Sequence, residues 1–382
     1  MRSFPLTLEK RMQKSTLMLV LNPLLFAMLA LAFCGIAIFA MGFSPLDVYT
    51  RMIAKAFFNM RGIRKSIIAG LPLMLCGLSV SIAFKMNLSN IGAEGQYAIG
   101  AICGGAFALY GPPLPTVLRM IAMFFFCFAG GALWAFLCAM PKAYWNVNET
   151  ITTLMLNYIA LLLLDYLCYG PWKQKGQNVG QSTKISKTLL LPTIPGINIS
   201  SGFLLAIVLA LLIYWFFKYT ISGYQISVIK HSPAAAKYAG INIKKYILFV
   251  LSISGGFAGI AGFIQITAVL ERVQATLTNN SGYTGIIIAY LSNFNPLVVI
   301  IVSFLFGGLQ NSSATVQVMG VPAEIASMMQ GSIMIFVIAG EFFHRYQISR
   351  KVPNRHNSDK HNSDRHEPDR HKTGEKQKGG TL

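Results

Sequence analysis

Apolar runs long enough to cross a membrane alternate with short polar segments along most of the chain. A run of about 20 apolar residues crosses a bilayer as a helix, so these runs predict transmembrane helices. Two further runs, Tyr97–Tyr110 and Gly282–Leu291, are shorter and interrupted by or flanked with glycine. The longer runs are Leu17–Met41, Ile67–Phe84, Val117–Met140, Ile151–Tyr169, Gly202–Phe217, Tyr246–Leu270, Pro296–Leu309 and Pro322–Phe343. The pattern predicts an all-α membrane protein with about ten transmembrane or partly spanning helices.

Two polar stretches between these runs have helical character. Ser44–Lys65 mixes apolar residues with Asp47 and several basic residues, and it is predicted to be an amphipathic surface segment. Thr220–Lys245 is the longest polar, helix-capable break between two strongly apolar runs in the second half of the chain. Within it, Ser232 before Pro233 fits a helix N-cap, and Gly240 fits a C-cap. The stretch therefore predicts a short surface helix suited to contact another protein, with an ordinary cytoplasmic loop as the alternative.

Composition supports the membrane class. Mean hydropathy is +0.54, 54% of residues are hydrophobic, and only 12% are charged. A soluble domain carries about a quarter of charged residues. The net charge of +19 lies in loops and in the tail, where membrane proteins keep basic residues, so nucleic acid is not expected as a partner. All six cysteines fall in apolar runs without CxxC spacing and are predicted to be packing residues.

The termini differ from the body of the chain. Residues 1–16 are short and basic and are predicted to be cytoplasmic, ahead of a membrane domain over residues 17–343. Residues 344–382 are polar, repeat a five-residue pattern and hold five of the six histidines. Metal binding by this tail is conceivable, but its composition favours a disordered, solvated, basic cytoplasmic tail. No metal site or cofactor is predicted.

Polar residues within apolar surroundings are costly, so they mark candidate substrate-path positions. Three clusters stand out, and a Gly-x-x-Gly in the first recurs in the third, which suggests an internal repeat. Each cluster has a structural alternative, namely a helix cap or interhelical hydrogen bonds. The candidates are Asn87, Asn90, Glu94, Gln96, Asn148, Glu149, Thr150, Thr153, Asn157, Ser281 and Thr284.

Several catalytic signatures are absent from the sequence. The chain has no Gly-Lys dipeptide and hence no P-loop, and it has neither His-Glu-x-x-His nor Gly-x-Ser-x-Gly. Few carboxylates lie within the apolar runs, which weakens an ion-coupled secondary transporter, although that class stays open. No catalytic residue is predicted, so the chain is expected not to be an enzyme itself.

Four stretches, taken together, resemble permease subunits of bacterial ABC importers for nucleosides and simple sugars, in the branched-chain amino acid/ribose-type permease family. The motifs occur in family order and cover roughly Leu17–Phe343, whereas the tail lies outside the resemblance. They are Asn90–Gln96, Asn148–Tyr158, Ala235–Ile241, and Gly282–Ile286 followed by Asn295-Pro296-Leu297.

The resemblance implies a permease in the bacterial inner membrane that works by alternating access. Its partners would be cytosolic ABC ATPase subunits, a second homologous permease, an extracytoplasmic substrate-binding protein and the lipid bilayer. Residues 220–245 would form the coupling loop, with a cytoplasmic coupling helix in a groove of the ATPase. The residues assigned to this contact are Ser232, Ala235, Ala236, Lys237, Tyr238 and Gly240. A purine-type nucleoside is the expected solute, with riboflavin or a simple sugar such as ribose as alternatives.

Overall fold

In a computed structural model of the full chain, the described residues are 6–10, 16–196, 198–318, 320–322 and 324–350. Among them the chain forms thirteen α-helices, one 3-10 turn at Lys187–Leu189, one π-helical segment at Gln265–Val269, and two strands. The elements are β1 (Leu6–Lys10), α1 (Thr16–Ala40), α2 (Pro45–Phe57), α3 (Met60–Phe84), α4 (Ala93–Tyr110), α5 (Thr116–Trp145), α6 (Glu149–Tyr169), α7 (Gly202–Tyr219), α8 (Ile221–His231), α9 (Pro233–Tyr238), α10 (Ile243–Ile264), α11 (Ser281–Leu291), α12 (Pro296–Val318), α13 (Glu324–Arg345) and β2 (Tyr346–Arg350).

The all-α membrane class is confirmed. Within the described residues, six helices are long and apolar enough to cross a membrane: α3, α5, α6, α7, α12, and α10 with its π-helical extension. Helices α1 and α2 meet at 119° and make a seventh span if they are counted as one broken span. The two short apolar runs become α4 and α11, with 18 and 11 residues, and both pack inside the bundle.

Small residues allow the inner helices to approach closely. Gly255 and Gly259 on α10 form a Gly-x-x-x-Gly pair that faces α5, and a Cβ built on Gly259 would lie 2.1 Å from the Cys127 carbonyl oxygen. Only glycine permits this backbone contact, as in other closely packed membrane helices. In the outer helices α5, α6 and α7 most apolar side chains are partly or fully exposed, as expected for surfaces that face lipid. The core is therefore built around α3, α4, α10 and α11.

The two ends of the bundle are distinguished by their connections. At the α8–α9 end, the Asn87 side-chain amide donates to the Lys230 carbonyl at 3.3 Å. Ser89 N–H donates to Glu149 there, also at 3.3 Å. At the opposite, long-loop end, residues 170–201 pair with the connection after α10, where Ser182 N–H donates to the Val273 carbonyl at 2.8 Å.

Both ends of the described chain lie on one side. The strands β1 and β2 pair antiparallel, with Leu6 opposite Arg350 and Lys10 opposite Tyr346. Since α12 starts beside the α8–α9 end and α13 returns antiparallel to it, this strand pair also lies at the α8–α9 end. The predicted tail from residue 351 onward, like residues 1–5 and 11–15 of the predicted N-terminal segment, lies outside the described residues.

Two helix boundaries differ most from the sequence prediction. Helix α3 begins at Met60 rather than Ile67, because Asn59 caps it by accepting the Arg61 N–H at 3.0 Å. Helix α12 runs nine residues beyond the predicted end at Leu309, because its polar last turns face a cavity rather than lipid. The short helix predicted between Ser232 and Gly240 is present as α9, and an additional helix, α8, precedes it within residues 220–245.

The cysteine prediction is confirmed. All six thiols are free, five are buried and Cys103 is half-buried. Two of them lie at close interhelical contacts: a Cβ on Gly104 would meet the Cys127 sulfur at 2.0 Å, and one on Gly130 would meet the Cys103 sulfur at 2.7 Å. Their small side chains therefore serve packing between α4 and α5.

Candidate functional site

A buried carboxyl group joins the N-terminal ends of α4 and α11. Glu94, in the first turn of α4, is 1% exposed, and its Oε2 accepts the Gly282 N–H at 2.5 Å. The same group also faces the Thr278 hydroxyl and the N–H groups of Asn280 and Tyr283. Helix N-termini present unpaired N–H groups and a positive dipole end, so they favour an anionic acceptor. The two Gly-x-x-Gly stretches noted in the sequence therefore contact each other directly.

Close backbone approach makes this junction specific to glycine. A Cβ built on Gly282 would lie 2.4 Å from the Glu94 backbone nitrogen, and one on Gly95 would lie 2.9 Å from Asn157 Cα. Real Cβ atoms do not occupy such positions. The repeat of glycines in both stretches thus has a packing cause, which is the meeting of α4 with α11 on one side and with α6 on the other.

Amide side chains extend the junction to two further helices. Asn157 on α6 accepts the Gly95 N–H at 2.9 Å and donates to the Ile91 carbonyl at 2.8 Å and to the Tyr283 hydroxyl at 3.3 Å. Asn90 donates to Gln96 and to Ser254 of α10, both at 2.8 Å. Buried polar networks of this kind rigidify a core when every member is paired. Asn90, Glu94, Gln96 and Asn157 thus hold α4, α6, α10 and α11 together.

The second predicted cluster lies at the α8–α9 end, at the start of α6. Asn148 caps the helix by accepting the Thr150 N–H at 3.0 Å. Glu149 forms an ion pair with Lys142 at 3.0 Å, and the Thr153 hydroxyl donates to the Glu149 carbonyl at 2.7 Å. These contacts correspond to the capping alternative. Their role in a substrate path stays a prediction, as it does for Asn87, whose side chain bonds to the Lys230 carbonyl.

A polar cavity of about 590 Å³ lies between α11, α12 and α13, in the half of the bundle toward the long-loop end. Amides and hydroxyls dominate its lining, and among its described lining residues Glu324 is the one charged side chain. Of the predicted path residues, Thr284 lines it, while Ser281 is buried next to it. The lining residues are Asn279, Asn280, Tyr283, Thr284, Ile287, Gln310, Ser313, Gln317, Glu324, Ser327, Gln330, Gly331 and Met334.

The cavity is continuous with the Glu94 junction. Asn280 and Tyr283 line the cavity with their side chains and turn their backbone N–H groups toward Glu94. The Thr284 hydroxyl donates to Gln330 across the cavity at 3.3 Å. A solute bound there would therefore contact the same short segment that locks α11 against α4.

Sequence reasoning missed most of the cavity wall. Gln310, Ser313 and Gln317 recur at helical spacing beyond the predicted end of a span, and this stripe was the available signal. The apolar run ends at Leu309, and polar residues after such a run are typical of a loop, so hydrophobicity alone does not place these three residues in the span. A polar stripe that continues the helical period indicates instead a span whose last turns face an aqueous space.

At the other end, α8 and α9 present an exposed surface. Ser232 caps α9 by accepting the Ala235 N–H at 3.2 Å, with Pro233 at the first helical position, as predicted. Gly240 has a φ of +75°, a conformation that suits glycine after a helix end. On α9, Tyr238 is 97% exposed.

The six residues assigned to a coupling contact do not share one face. Ala235, Lys237 and Tyr238 point outward, whereas Ala236 is 0% exposed and faces the bundle. Ala236 therefore seats α9 on the transmembrane helices, and its neighbours form the outer surface. The contact of this surface with an ATPase stays a prediction.

Most of the chain is similar to a known protein family and to several known proteins. Residues 62–338 match the family described as branched-chain amino acid transport system / permease component. The glucose ABC transporter permease protein TsgB13 of Haloferax volcanii is 31% identical, over 88% of this chain and 91% of that protein. The guanosine ABC transporter permease protein NupP of Bacillus subtilis is 28% identical, over 83% and 92%.

A further relative has a broader stated substrate. The nucleoside ABC transporter permease protein NupB of Lactococcus lactis subsp. cremoris is 26% identical, over 83% of this chain and 90% of that protein. Among solved structures, a metal-chelate type ABC transporter in an inward-facing conformation aligns with a TM-score of 0.44 and 15% identity, over 85% of this chain and 99% of that one. A likeness at that level carries no functional argument.

Proposed function

Since the chain belongs to the branched-chain amino acid transport system / permease component family, we propose that it is the membrane-spanning subunit of an ATP-driven importer for a neutral nucleoside or sugar. ATP would be hydrolysed by partner chains, since this chain has no P-loop. A second permease subunit and an extracytoplasmic binding protein would complete the complex in the plasma membrane. Transport would proceed by alternating access to a central path between the two ends of the bundle.

The polar cavity carries this proposal. Its volume of about 590 Å³ falls in the range of small-molecule sites, and its lining supplies many neutral donors and acceptors. Such a surface suits a solute with many hydroxyl groups and no net charge, because hydrogen bonds must replace the water that the solute loses. A phosphate or a carboxylate would find no described cation on this wall.

Among neutral solutes, a nucleoside is the first candidate. The cavity places the aromatic ring of Tyr283 and the apolar side chains of Ile287 and Met334 beside the amides. A base can stack on an aromatic ring while a ribose takes the hydrogen bonds. Glucose is the second candidate, because the relative named for glucose transport is 31% identical over 88% of this chain.

Uptake by the assembled complex tests the function. The chain is co-expressed with its ATPase, second permease and binding protein, and uptake of labelled guanosine is measured against unlabelled guanosine, glucose, ribose or riboflavin. Competition by guanosine alone supports the nucleoside assignment, whereas competition by glucose moves the substrate to hexose. Uptake that persists without a functional ATPase partner would identify a secondary transporter instead.

Cavity variants locate the path. We expect Thr284→Val with Gln310→Leu to raise the apparent KM about thirtyfold, because the two lost hydrogen bonds cost about 1 kcal/mol each, about 2 kcal/mol together. Asn178→Leu, which removes an exposed amide at the long-loop end, is the matched control and should leave KM unchanged. An unchanged KM in the cavity variant, with normal expression, would place the path elsewhere and leave the importer class standing.

A further inference from the structure

A second cavity lies at the α8–α9 end, outside the path proposed above. It has a volume of about 780 Å³ and lies between α1, the ends of α3 and α7, and the connection from α11 to α12. Lys85 follows the last turn of α3 and Lys218 lies in the last turn of α7, and both line it. Ser292 and Asn293 add polar groups from the connecting loop. The cavity therefore combines two cations from different helices with neutral hydrogen-bonding groups.

Lys85 and Lys218 form no described ion pair, and the Lys218 ammonium donates to the Tyr214 hydroxyl at 3.0 Å. No described lining residue is acidic, and the ion pairs among described residues, Lys142–Glu149 and Lys184–Glu271, lie elsewhere. Lys230 contributes a third ammonium group nearby, 6.0 Å from the ring centroid of Phe294 on the same connecting loop. Burial, and then the charge of Lys230, lower the pKa of Lys85. An anion in the cavity would offset the repulsion between the Lys85 and Lys230 charges.

The favourable interaction of lysines with the negative C-terminal ends of helices explains part of this arrangement of lysines. Lys85, just after the last turn of α3, and Lys218, in the last turn of α7, interact favourably with the negative ends of the two helix dipoles. That role is satisfied by a lysine that points into water at each end. It does not account for two lysines that face one shared recess, with the N-terminal end of α12 at Asn295 and Pro296 on the same wall.

The rest of the wall is apolar. Ala27, Val298, Val302 and Leu305 line the cavity on the side of α1 and α12, below the lysines in the direction of the bundle centre. Val298 and Leu305 are also exposed on the surface of the bundle, so the apolar part is open sideways. A recess with cations at its rim and an apolar, laterally open wall is complementary to an amphiphile whose headgroup is anionic.

We propose that this cavity binds an anionic phospholipid, with Lys85 and Lys218 on the headgroup phosphate and acyl chains along the α1–α12 wall. Basic pockets between transmembrane helices at the membrane surface recognise such headgroups. The bound lipid contacts the last turn of α7, which leads at Thr220 directly into α8. It therefore supports the base of the α8–α9 surface from the membrane side.

Lipid binding to the purified full-length chain tests the proposal. The protein is delipidated in mild detergent, incubated with phosphatidylglycerol or with phosphatidylcholine, and examined by native mass spectrometry and by thermal unfolding. We expect selective retention of phosphatidylglycerol and a rise in Tm with that lipid alone. The variant Lys85→Gln with Lys218→Gln should weaken retention by about fivefold for each lysine, since each contributes about that factor near an anionic headgroup.

Two matched variants separate charge from folding. Lys173→Gln with Lys175→Gln removes two exposed lysines at the long-loop end and should bind phosphatidylglycerol as the parent chain does. Lys85→Arg with Lys218→Arg keeps both charges and should retain the lipid. Equal retention of both lipids by the parent chain, unchanged retention in the double glutamine variant, or the same Tm rise with inorganic phosphate alone would each overturn the proposal.

Discussion

At the scale of single residues, Glu94 is notable because its carboxyl group is almost completely buried inside the bundle. Its carboxyl group is buried where the N-terminal ends of two helices meet, and it accepts hydrogen bonds from the segment that also lines the cavity. A group in this position can transmit the state of α11 to α4, because movement of either helix breaks the shared contacts. The carboxylate therefore acts as a positioning residue between the cavity and the rest of the bundle.

The variant Glu94→Gln tests this role. Glutamine has the same size, but its NH₂ group would face the N–H donors of α11, so a donor would meet donors. We expect the free energy of unfolding to fall by about 2 kcal/mol, the usual worth of hydrogen bonds to a charged acceptor, and uptake to fall at least about tenfold. Thermal unfolding in detergent and the uptake assay measure the two effects.

A surface carboxylate provides the control for this variant. Glu271 is half-exposed and its oxygen lies 4.0 Å from the Lys184 nitrogen, so Glu271→Gln should change neither stability nor uptake measurably. If Glu94→Gln were as stable and as active as Glu271→Gln, the carboxyl group would not hold the two helices together.

The sequence indicated this junction only in part. The repeated Gly-x-x-Gly and the isolated carboxylate marked the two stretches as functional candidates, and these stretches meet in the fold. Their partners could not be read from one sequence, because Asn157 and Ser254 reach the junction through tertiary packing of α6 and α10. Gln310 was missed because a polar side chain just after an apolar run resembles an ordinary boundary residue, and Gln330 because its cavity partner Thr284 is reached only through tertiary packing.

At the scale of elements, the α8–α9 pair is a short surface unit fixed to the bundle from below. Ala236 is its buried contact, while Tyr238 and Ala235 are exposed. Substitutions on the two faces of α9 should therefore have different consequences. The outer face should affect partner binding, and the inner face should affect the placement of the helix itself.

We expect Tyr238→Ala to weaken co-purification of the ATPase partner without changing Tm, because the side chain has no described contact to lose within the chain and exposed aromatic residues commonly anchor interfaces. Ala236→Glu should lower both Tm and ATPase recovery, because a carboxylate would be forced into a packed apolar site. Affinity capture followed by quantification of the ATPase measures partner binding. Thermal unfolding, measured in parallel, gives the change in Tm.

Tyr110→Ala, at the long-loop end, serves as the control because that side chain is also exposed, at 68% against 97% for Tyr238. It should leave ATPase recovery at the level of the parent chain. Full recovery in Tyr238→Ala as well would move the docking surface away from the outer face of α9.

Element prediction succeeded where one physical signal dominated. Continuous apolar runs located every helix that is long enough to span, because burial in lipid requires that composition. The predicted helix boundaries were wrong where an interaction other than burial in lipid determines the end of the helix. The Asn59 cap lengthens α3 at its start, and the polar cavity wall lengthens α12 at its end. The N-cap at Ser232 was predicted correctly, whereas α8, which ends just before it, was not predicted as a separate helix.

At the scale of the whole molecule, the polar cavity and the α8–α9 surface lie toward opposite ends, with the Glu94 junction between them. A conformational change driven at α8–α9 would reach the cavity by way of α10, which packs against α9 and α3, and then α3, which packs against α11 and α12. Ser254 of α10 bonds to Ser79 of α3 at this level, with the hydroxyl donating to the Ser79 carbonyl at 2.7 Å. The proposed alternating access would act through this contiguous set of packed contacts.

The C-terminal tail lies beyond the part of the chain that matches the permease family. The family match stops at residue 338, α13 ends at Arg345, and β2 ends at Arg350. Because the sequence beyond Asn354 is polar and nearly free of apolar residues, it can bury little surface. We expect deletion of Asn354–Leu382 to leave uptake and Tm unchanged.

Truncation before Ile333 is the contrasting control, since it removes the second half of α13, including the Phe336 ring that lies 5.9 Å from Phe33 of α1. A large loss of uptake in the shorter deletion, with normal expression, would assign the tail a direct part in transport or assembly.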